Sequence, residues 1–400
     1  MDLFTQYKFL SGLRRGPLGE LAFLTAQADV EENSYRKDLW LKPLDGPAFP
    51  LTTDGKTGGF LWDGPHTLLF QSTRDPEQKK RAEAGEEHTA FYRLDLRGGE
   101  AQKAFEVPLS ASLLEKADEG VYLLAVDWDL RFSKAHQLKG GAKEALLKEK
   151  KEEKDYQVLD EMPFYFNGAG YVNKHRDALF LYEESSGKLT RVTKEAFSTG
   201  SAHLSPDGKQ VLFTGQSYTV KRKNKSGVYV YDRETGRTTE LLKPRAYDLY
   251  DALWWGEKIL LLATDGKRYG LNENAQFYTL NPASGQVALL APYEDALGSS
   301  VGSDCRLGGG REWVQEGDKL YFVTTLGGAS QVYCLEEAGE IRPVYTQAGS
   351  VDCIDAAEGS LYFVGMQDGK LQELYRWDCQ AQERDQLTTL NEKVLAGRYV

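Results

Sequence analysis

Four hundred residues, 41% hydrophobic and 27% charged, fit one large repetitive domain or two to three ordinary ones. A net charge of −11 leaves no Lys/Arg surplus for a general nucleic-acid role, and no apolar run reaches the ~18–20 residues that cross a bilayer. Aromatic residues at 12%, with 22 Tyr and 17 Phe, and 40 scattered Gly favour strands and turns over helices.

The chain opens MDLFTQYKFLSGLRRG. It lacks the basic start and apolar core of a secretory signal, so the expected compartment is the cytoplasm. The first strand-rich unit pairs LAFLTA, from Leu21, with LWLKPLDGPAFPLT around Gly46. The second pairs LLFQS, from Leu68, with FYRLDLRGGEAQKAF around Gly99. The third starts with VYLLAV, from Val121, is interrupted over about residues 128–176, and closes with LFLYEESSGKLTRVT around Gly187. VLFTG then precedes VYVYDRETGRTTELL (Gly236), and ILLLAT precedes FYTLNPASGQVALLA (Gly285). LYFVTT leads to VYCLEEAGEIRPVY (Gly339), and LYFVGM to LYRWDCQAQERDQLT, where Gln382 takes the glycine's place.

Gly187, Gly236 and Gly285 stand 49 residues apart, a spacing that marks a repeated structural unit. Each unit ends in a β-hairpin, with an apolar strand before it and a weaker strand upstream, as in SAHLSPDG. Four antiparallel strands per unit, seven times, predict an all-β fold: a seven-bladed β-propeller filling residues 1–400 as one domain. Stacking blades bury faces that no single blade covers. Trp-Asp occurs only at Trp62-Asp63, Trp128-Asp129 and Trp377-Asp378, not once per unit, and no Gly-His occurs, so this is not a WD array. Five-bladed glycosidase propellers have too few repeats, and period-two strands exclude a helical solenoid.

The interruption in blade 3 carries two kinds of sequence. Lys143 to Lys154 is rich in helix formers and polar nearly all round, which predicts a solvated helix or arm. Pro163-Phe164-Tyr165-Phe166-Asn167-Gly168 has three adjacent aromatics and is expected to pack on the blade or on a partner. In a four-stranded meander, the loop between the second and third strands shares an end with the link to the next blade. The long charged loops fall there: QADVEENSYRKD, STRDPEQKKRAEAGEEHT, the interruption, QSYTVKRKNKS and DGKRYGLNENAQ. Opposite turns such as DRETG and NPASG are minimal, so the long loops define the predicted working end.

GSSVG, Gly298 to Gly302, matches the G-x-S-x-G nucleophile elbow. That motif needs a buried strand before the serine and a helix after it. Here APYEDAL precedes and SDCRLGGGREW follows, and all five histidines come before Ser300, the reverse of the α/β-hydrolase order. Ser300 therefore reads as a link into blade 6, and no catalytic residue is assigned. Histidines without i,i+4 pairing, and Cys305, Cys334, Cys353 and Cys379 without a C-x-x-C pair, give no metal site and imply no cofactor. The cysteines are expected to be free buried thiols.

KFLSGLRRGPLGELAFLTAQADVEENSYRKDLWL resembles the opening of the prolyl oligopeptidase family of serine peptidases, in particular its acylaminoacyl-peptidase-like bacterial branch. EEKDYQVLDEMPFYFNGAGYVNKHRDALFLYE resembles that branch's blade 3 insertion, and SPDGKQVLFTG and QLTTLNEKVLAG also fit. The resemblance implies an N-terminal propeller whose parent protein also carries a C-terminal α/β-hydrolase domain, absent from these residues. The chain is then a piece of a larger peptidase or a shortened gene product. Its implied role is to cap the catalytic domain and to filter short peptides. Under that reading Glu31, Glu32, Arg74, Asp75, Asn272 and Glu273, on the long-loop end, are candidate substrate contacts: carboxylates for a peptide ammonium, arginine for a carbonyl or carboxylate. The alternatives are a free-standing propeller serving as an interaction scaffold and a propeller enzyme with its own site.

Overall fold

The computed structural model describes residues 3–396. Among the described residues the strands form seven antiparallel blade sheets and one separate two-stranded hairpin inserted in the third blade, and the architecture is a seven-bladed β-propeller. The described residues divide into two compact units, one of residues 59–289 and the other of residues 3–58 with 290–396.

The first unit holds blade 3 (Ala111–Asp118 to Lys188–Arg191), blade 4 (Phe197–Leu204 to Arg237–Leu242) and, but for two end residues each, blade 2 (Thr57–Gly64 to Gln102–Val107) and blade 5 (Asp248–Trp255 to Val287–Ala291). Strand alternation explains how these blades stack. In blade 4, Val211 and Phe213 join Leu123, Leu179 and Leu181 of blade 3. Leu212, between them and on the opposite face, joins Ile259, Leu261 and Tyr278 of blade 5. Second strands are covered on both faces, so their apolar runs are continuous. Ile259, Leu260, Leu261, Leu262 and Ala263 are all fully buried. Each large side chain so placed stabilises by about 1.5–3 kcal/mol.

The second unit holds blade 1 (Phe9–Arg15 to Phe49–Pro50), blade 6 (Ala296–Leu297 to Ile341–Tyr345) and blade 7 (Cys353–Ala357 to Glu383–Gln386). Among the described residues, blades 7 and 1 share no strand. Leu10, Leu13 and Phe23 pack with Cys353, Val364 and Leu374, and side chains then stand in for ladder bonds. Asn391 accepts from Lys8 N at 2.8 Å and donates to Lys8 O at 2.8 Å, as a paired strand residue would. Gln372 accepts from Leu10 N at 3.0 Å and Asp355 from Arg15 N at 2.8 Å.

The hairpin turns need a left-handed residue, which explains the repeat's glycines: Gly187, Gly236 and Gly285 have φ of 67°, 68° and 69°. Gln382 adopts φ 57° at the corresponding turn of blade 7. QADVEENSYRKD proves to be mostly strand. Leu21–Asp29 and Ser34–Lys42 pair along their whole length, leaving only residues 30–33 as a turn. Cys334 and Cys353 are buried, whereas Cys305 and Cys379 are half-buried, and all four are free thiols. No helix among the described residues is long and apolar enough to cross a membrane.

Two blades depart from the simple meander. In blade 3, Val121–Asp129 pairs His175–Glu183 in unbroken register, so residues 130–174 leave and rejoin the sheet at one point. In blade 6 the first strand is split into Ala296–Leu297 and Trp313–Glu316, with residues 298–312 running out between them.

Candidate functional site

The blade 3 excursion and its neighbouring loops build a distinct surface on the unit of residues 59–289. In the blade 2 loop, Asp75 accepts from Glu77 N at 3.0 Å and Pro76 follows, so Pro76–Glu83 starts as a capped helix. The Lys/Glu-rich stretch forms a second helix, Gly141–Glu152. It is not solvated all round: Lys143, Leu146, Leu147 and Lys150, spaced i, i+3, i+4, i+7, form a half-buried face. Lys143 Nζ lies 2.6 Å from Glu86, Lys150 Nζ lies 2.7 Å from Glu87, and Arg81 bridges Glu86 and Glu106. Burial works against the Glu86 charge, but Arg81 and Lys143 outweigh it and hold the carboxyl at about 2. A cleft of about 250 Å³ lies between the helices, lined by Arg81, Glu86, His136, Lys143, Leu147 and Lys150.

Beyond that helix the chain forms an arm pinned at one buried point. Glu161 and Arg176 side chains are 1% and 0% exposed and meet in a two-pronged pair at 2.7 and 3.1 Å. Arg176 also donates to the Tyr218 and His175 carbonyls and lies 3.7 Å over the Tyr218 ring, and Glu161 accepts from Lys174 N. Burial alone would raise the Glu161 carboxyl, yet Arg176 keeps it below its ordinary range. Met162 pairs in parallel with the blade 4 loop: its N–H donates to Val220 O and its carbonyl accepts from Arg222 N, both at 2.8 Å. A two-stranded hairpin, Tyr165–Phe166 with Gly170–Tyr171, follows.

The aromatic stretch expected to pack on the blade or on a partner does not pack on the blade: it is exposed. Val158, Met162, Tyr165, Phe166, Tyr171 and Val220 are between 47% and 70% accessible. Tyr165 and Tyr171 meet edge to face, but the arm otherwise offers these groups to solvent. Sequence alternation cannot reveal this, because the pin that holds the arm outward is an ion pair between residues 15 apart in the chain.

A second cluster joins the first strands of three consecutive blades. His203 of blade 4 lies between Asp251 of blade 5 (2.9 Å) and Glu115 of blade 3 (3.3 Å). Burial disfavours its charge, but the two carboxylates prevail and push it up to about 10. It is a charged clip between blades, with no nucleophile in the triad.

The six candidate contacts are divided between the two units. Glu31 and Glu32 sit on the exposed turn of blade 1, in the other unit from the remaining four. Arg74 lies over the Phe70 and Tyr92 rings and bonds Ser72. Asp75 caps its helix. Asn272 is exposed at the end of the turn Gly270–Asn272. Glu273, 5% exposed, accepts from Thr264 Oγ1, Gly266 N, Arg268 N and Tyr269 N, which organise the blade 5 loop and lower its carboxyl to about 2.

Ser300 lies in the blade 6 excursion, where its N–H donates to Thr325 Oγ1 at 2.8 Å. The five histidines all belong to the other unit. Glycines there serve close packing. Gly309 O accepts from Gly12 N of blade 1, Arg311 O from Ile354 N of blade 7 and Glu312 O from Val323 N of blade 6. A Cβ on Gly309 would overlap the Asp352 carbonyl oxygen.

Comparison with known proteins places this architecture. No family model matches the chain. It is 22% identical over 385 residues to the "Uncharacterized peptidase YuxL" of Bacillus subtilis (strain 168), covering 93% of this chain and 55% of that protein. It superposes on Pyrococcus horikoshii acylaminoacyl peptidase with a TM-score of 0.71 at 18% identity, over 98% of this chain and 54% of that one. The chain thus shares the propeller fold of that peptidase. The β-propeller domain of the Trilobed protease from Pyrococcus furiosus matches over 96% of this chain and 99% of its own length (TM-score 0.59, 14% identity). A puromycin-hydrolyzing peptidase of Mycobacterium tuberculosis matches over 97% of this chain and 55% of its own (TM-score 0.64, 13% identity). The propeller thus spans about half the length of the curated peptidase it matches.

Proposed function

We propose that this chain is the non-catalytic propeller of a prolyl-oligopeptidase-family serine peptidase, of the acylaminoacyl-peptidase-like kind. It caps an α/β-hydrolase domain of the parent protein and admits short or unfolded peptides. One observation carries the reading: the match runs through 98% of this chain yet accounts for only 54% of the P. horikoshii peptidase. Size selection needs only a rigid, well-packed array over a covered cavity, and a propeller supplies that rigidity. Hydrolysis is the hydrolase domain's task, consistent with Ser300 sitting in a packing segment without a histidine in its unit.

The test is genetic and enzymatic. The reading frame should continue past Val400 into G-x-S-x-G-G with a histidine downstream, and the 400-residue chain should not cleave chromogenic peptides or esters by itself. The whole protein should cleave short peptides and leave folded proteins intact. Turnover by this chain alone would falsify the division of labour. A stop codon at 401 would favour the interaction-scaffold reading, which the exposed arm of blade 3 also supports.

A further inference from the structure

We propose that the blade 3 arm and the adjoining blade 4 loop form a docking surface for an acidic, extended peptide segment carrying aromatic or branched apolar side chains. The choice of a peptide as occupant rests on the peptide-handling role above; the chemistry of the surface selects its class.

Three features converge. The first is apolar area held in the open. Met162, Phe164, Tyr165, Phe166, Tyr171 and Val220 are all exposed large hydrophobics within one short stretch and the loop it pairs with. Contiguous apolar surface of this kind marks interaction sites on otherwise ordinary proteins. The second is preorganisation. The buried Glu161–Arg176 pair and the two Met162 backbone bonds to the 220–222 loop fix the arm before any ligand arrives. A partner therefore loses less affinity to ordering the surface. The hairpin pairs with no third strand among the described residues, so its edges are open to an extended chain.

The third is charge. In a chain of net charge −11, Val220 is followed by Lys221-Arg222-Lys223, and Lys225 comes two residues later. Lys221 and Lys223 are exposed and form no ion pair among the described residues. Arg222 is half-buried and near Asp248, and Lys225 Nζ donates to the Asp265 carbonyl. Lys174, closer to the arm, is already taken up by Asp160 and Glu161. The unpaired cations thus border the apolar face and favour carboxylates alternating with apolar side chains. A basic peptide would meet like charge instead.

The decisive measurement is fluorescence anisotropy with the 400-residue chain. The probe is a short labelled peptide alternating glutamate with leucine and phenylalanine, and the controls carry lysine for glutamate or serine for the apolar residues. The acidic apolar probe should bind, and both controls should bind at least about tenfold more weakly. Binding should weaken with rising salt. Lys221→Glu with Lys223→Glu, and separately Phe164→Ser with Tyr165→Ser, should each cost about tenfold without changing the melting temperature. Equal binding of all three peptides, or none, overturns the proposal. So does binding of the chain to anionic lipid vesicles in place of the probe, or self-association in light scattering that Phe164→Ser abolishes. A failed probe with an intact hydrolase reading frame beyond Val400 would sink this site and leave the capping role standing; the reverse outcome would do the opposite.

Discussion

The two excursions from the repeat make an instructive pair. Residues 298–312 interrupt the first strand of blade 6, and their backbone is hydrogen-bonded to blades 6, 7 and 1 within one unit. Residues 130–174 interrupt the hairpin between second and third strands of blade 3, and they are held by side-chain ion pairs around an exposed aromatic hairpin. A first strand is packed between neighbours, so an insertion there is absorbed into the fold and selects glycine. A loop at the strand ends has solvent beside it, so an insertion there keeps its side chains available.

Four experiments break or sharpen this contrast. Arg176→Met removes the two-pronged partner of the buried Glu161 carboxylate and leaves it only Lys174, a loss of up to about 3–5 kcal/mol that should fall on the arm. Hydrogen exchange should accelerate over residues 156–172 while blades 2–5 stay protected, and Glu161→Gln in the same chain should restore much of the protection. Unchanged exchange in the arm would show that the pair is not its pin. Gly309→Ala should cost about 1–3 kcal/mol in urea unfolding, because the new Cβ meets backbone that cannot turn aside. This loss should be global, unlike the first.

Acid should separate the two regions further. Glu86 is held at about 2 against an ordinary carboxyl value near 4.5. Its folded value is depressed, so the stability it contributes is complete above about 4.5 and fades as the pH falls towards about 2. The helix Gly141–Glu152 should loosen in that window, and in high salt, while the blade 6 excursion, which has backbone bonds besides its Arg306–Asp352 and Arg311–Asp355 pairs, should respond less. Proteolysis or tryptophan-independent exchange measurements across that pH range would detect it, and a helix equally protected at both ends would contradict the latch. The smallest effect belongs to Ser300→Ala, expected to change stability by less than about 0.5 kcal/mol and to leave no activity lost.

Much of the architecture was legible because it repeats. Gly187, Gly236 and Gly285 mark turns that require positive φ, and a backbone requirement of that kind is written at a single position. Gln382 was found by spacing alone and takes the same conformation without a glycine. The second strands were visible as apolar runs for the same local reason. The rejection of GSSVG followed from its flanks, although the need for its neighbouring glycines lies in the distant Asp352 and Gly12 backbones. The surroundings of two candidate contacts were not legible. Asp75 and Glu273 each accept from backbone N–H groups of their own loop, which their residue type does not announce.

Period, turn chemistry and strand polarity are short-range properties, and through them the amino-acid sequence by itself determined seven blades and the position of the blade 3 interruption. Which side chains in that interruption are buried, and which face solvent, was decided only by tertiary structure. The reason is that Glu161, Arg176 and the 220–222 loop meet through space, where desolvation and charge pairing act between groups whose order in the chain records nothing of their distance.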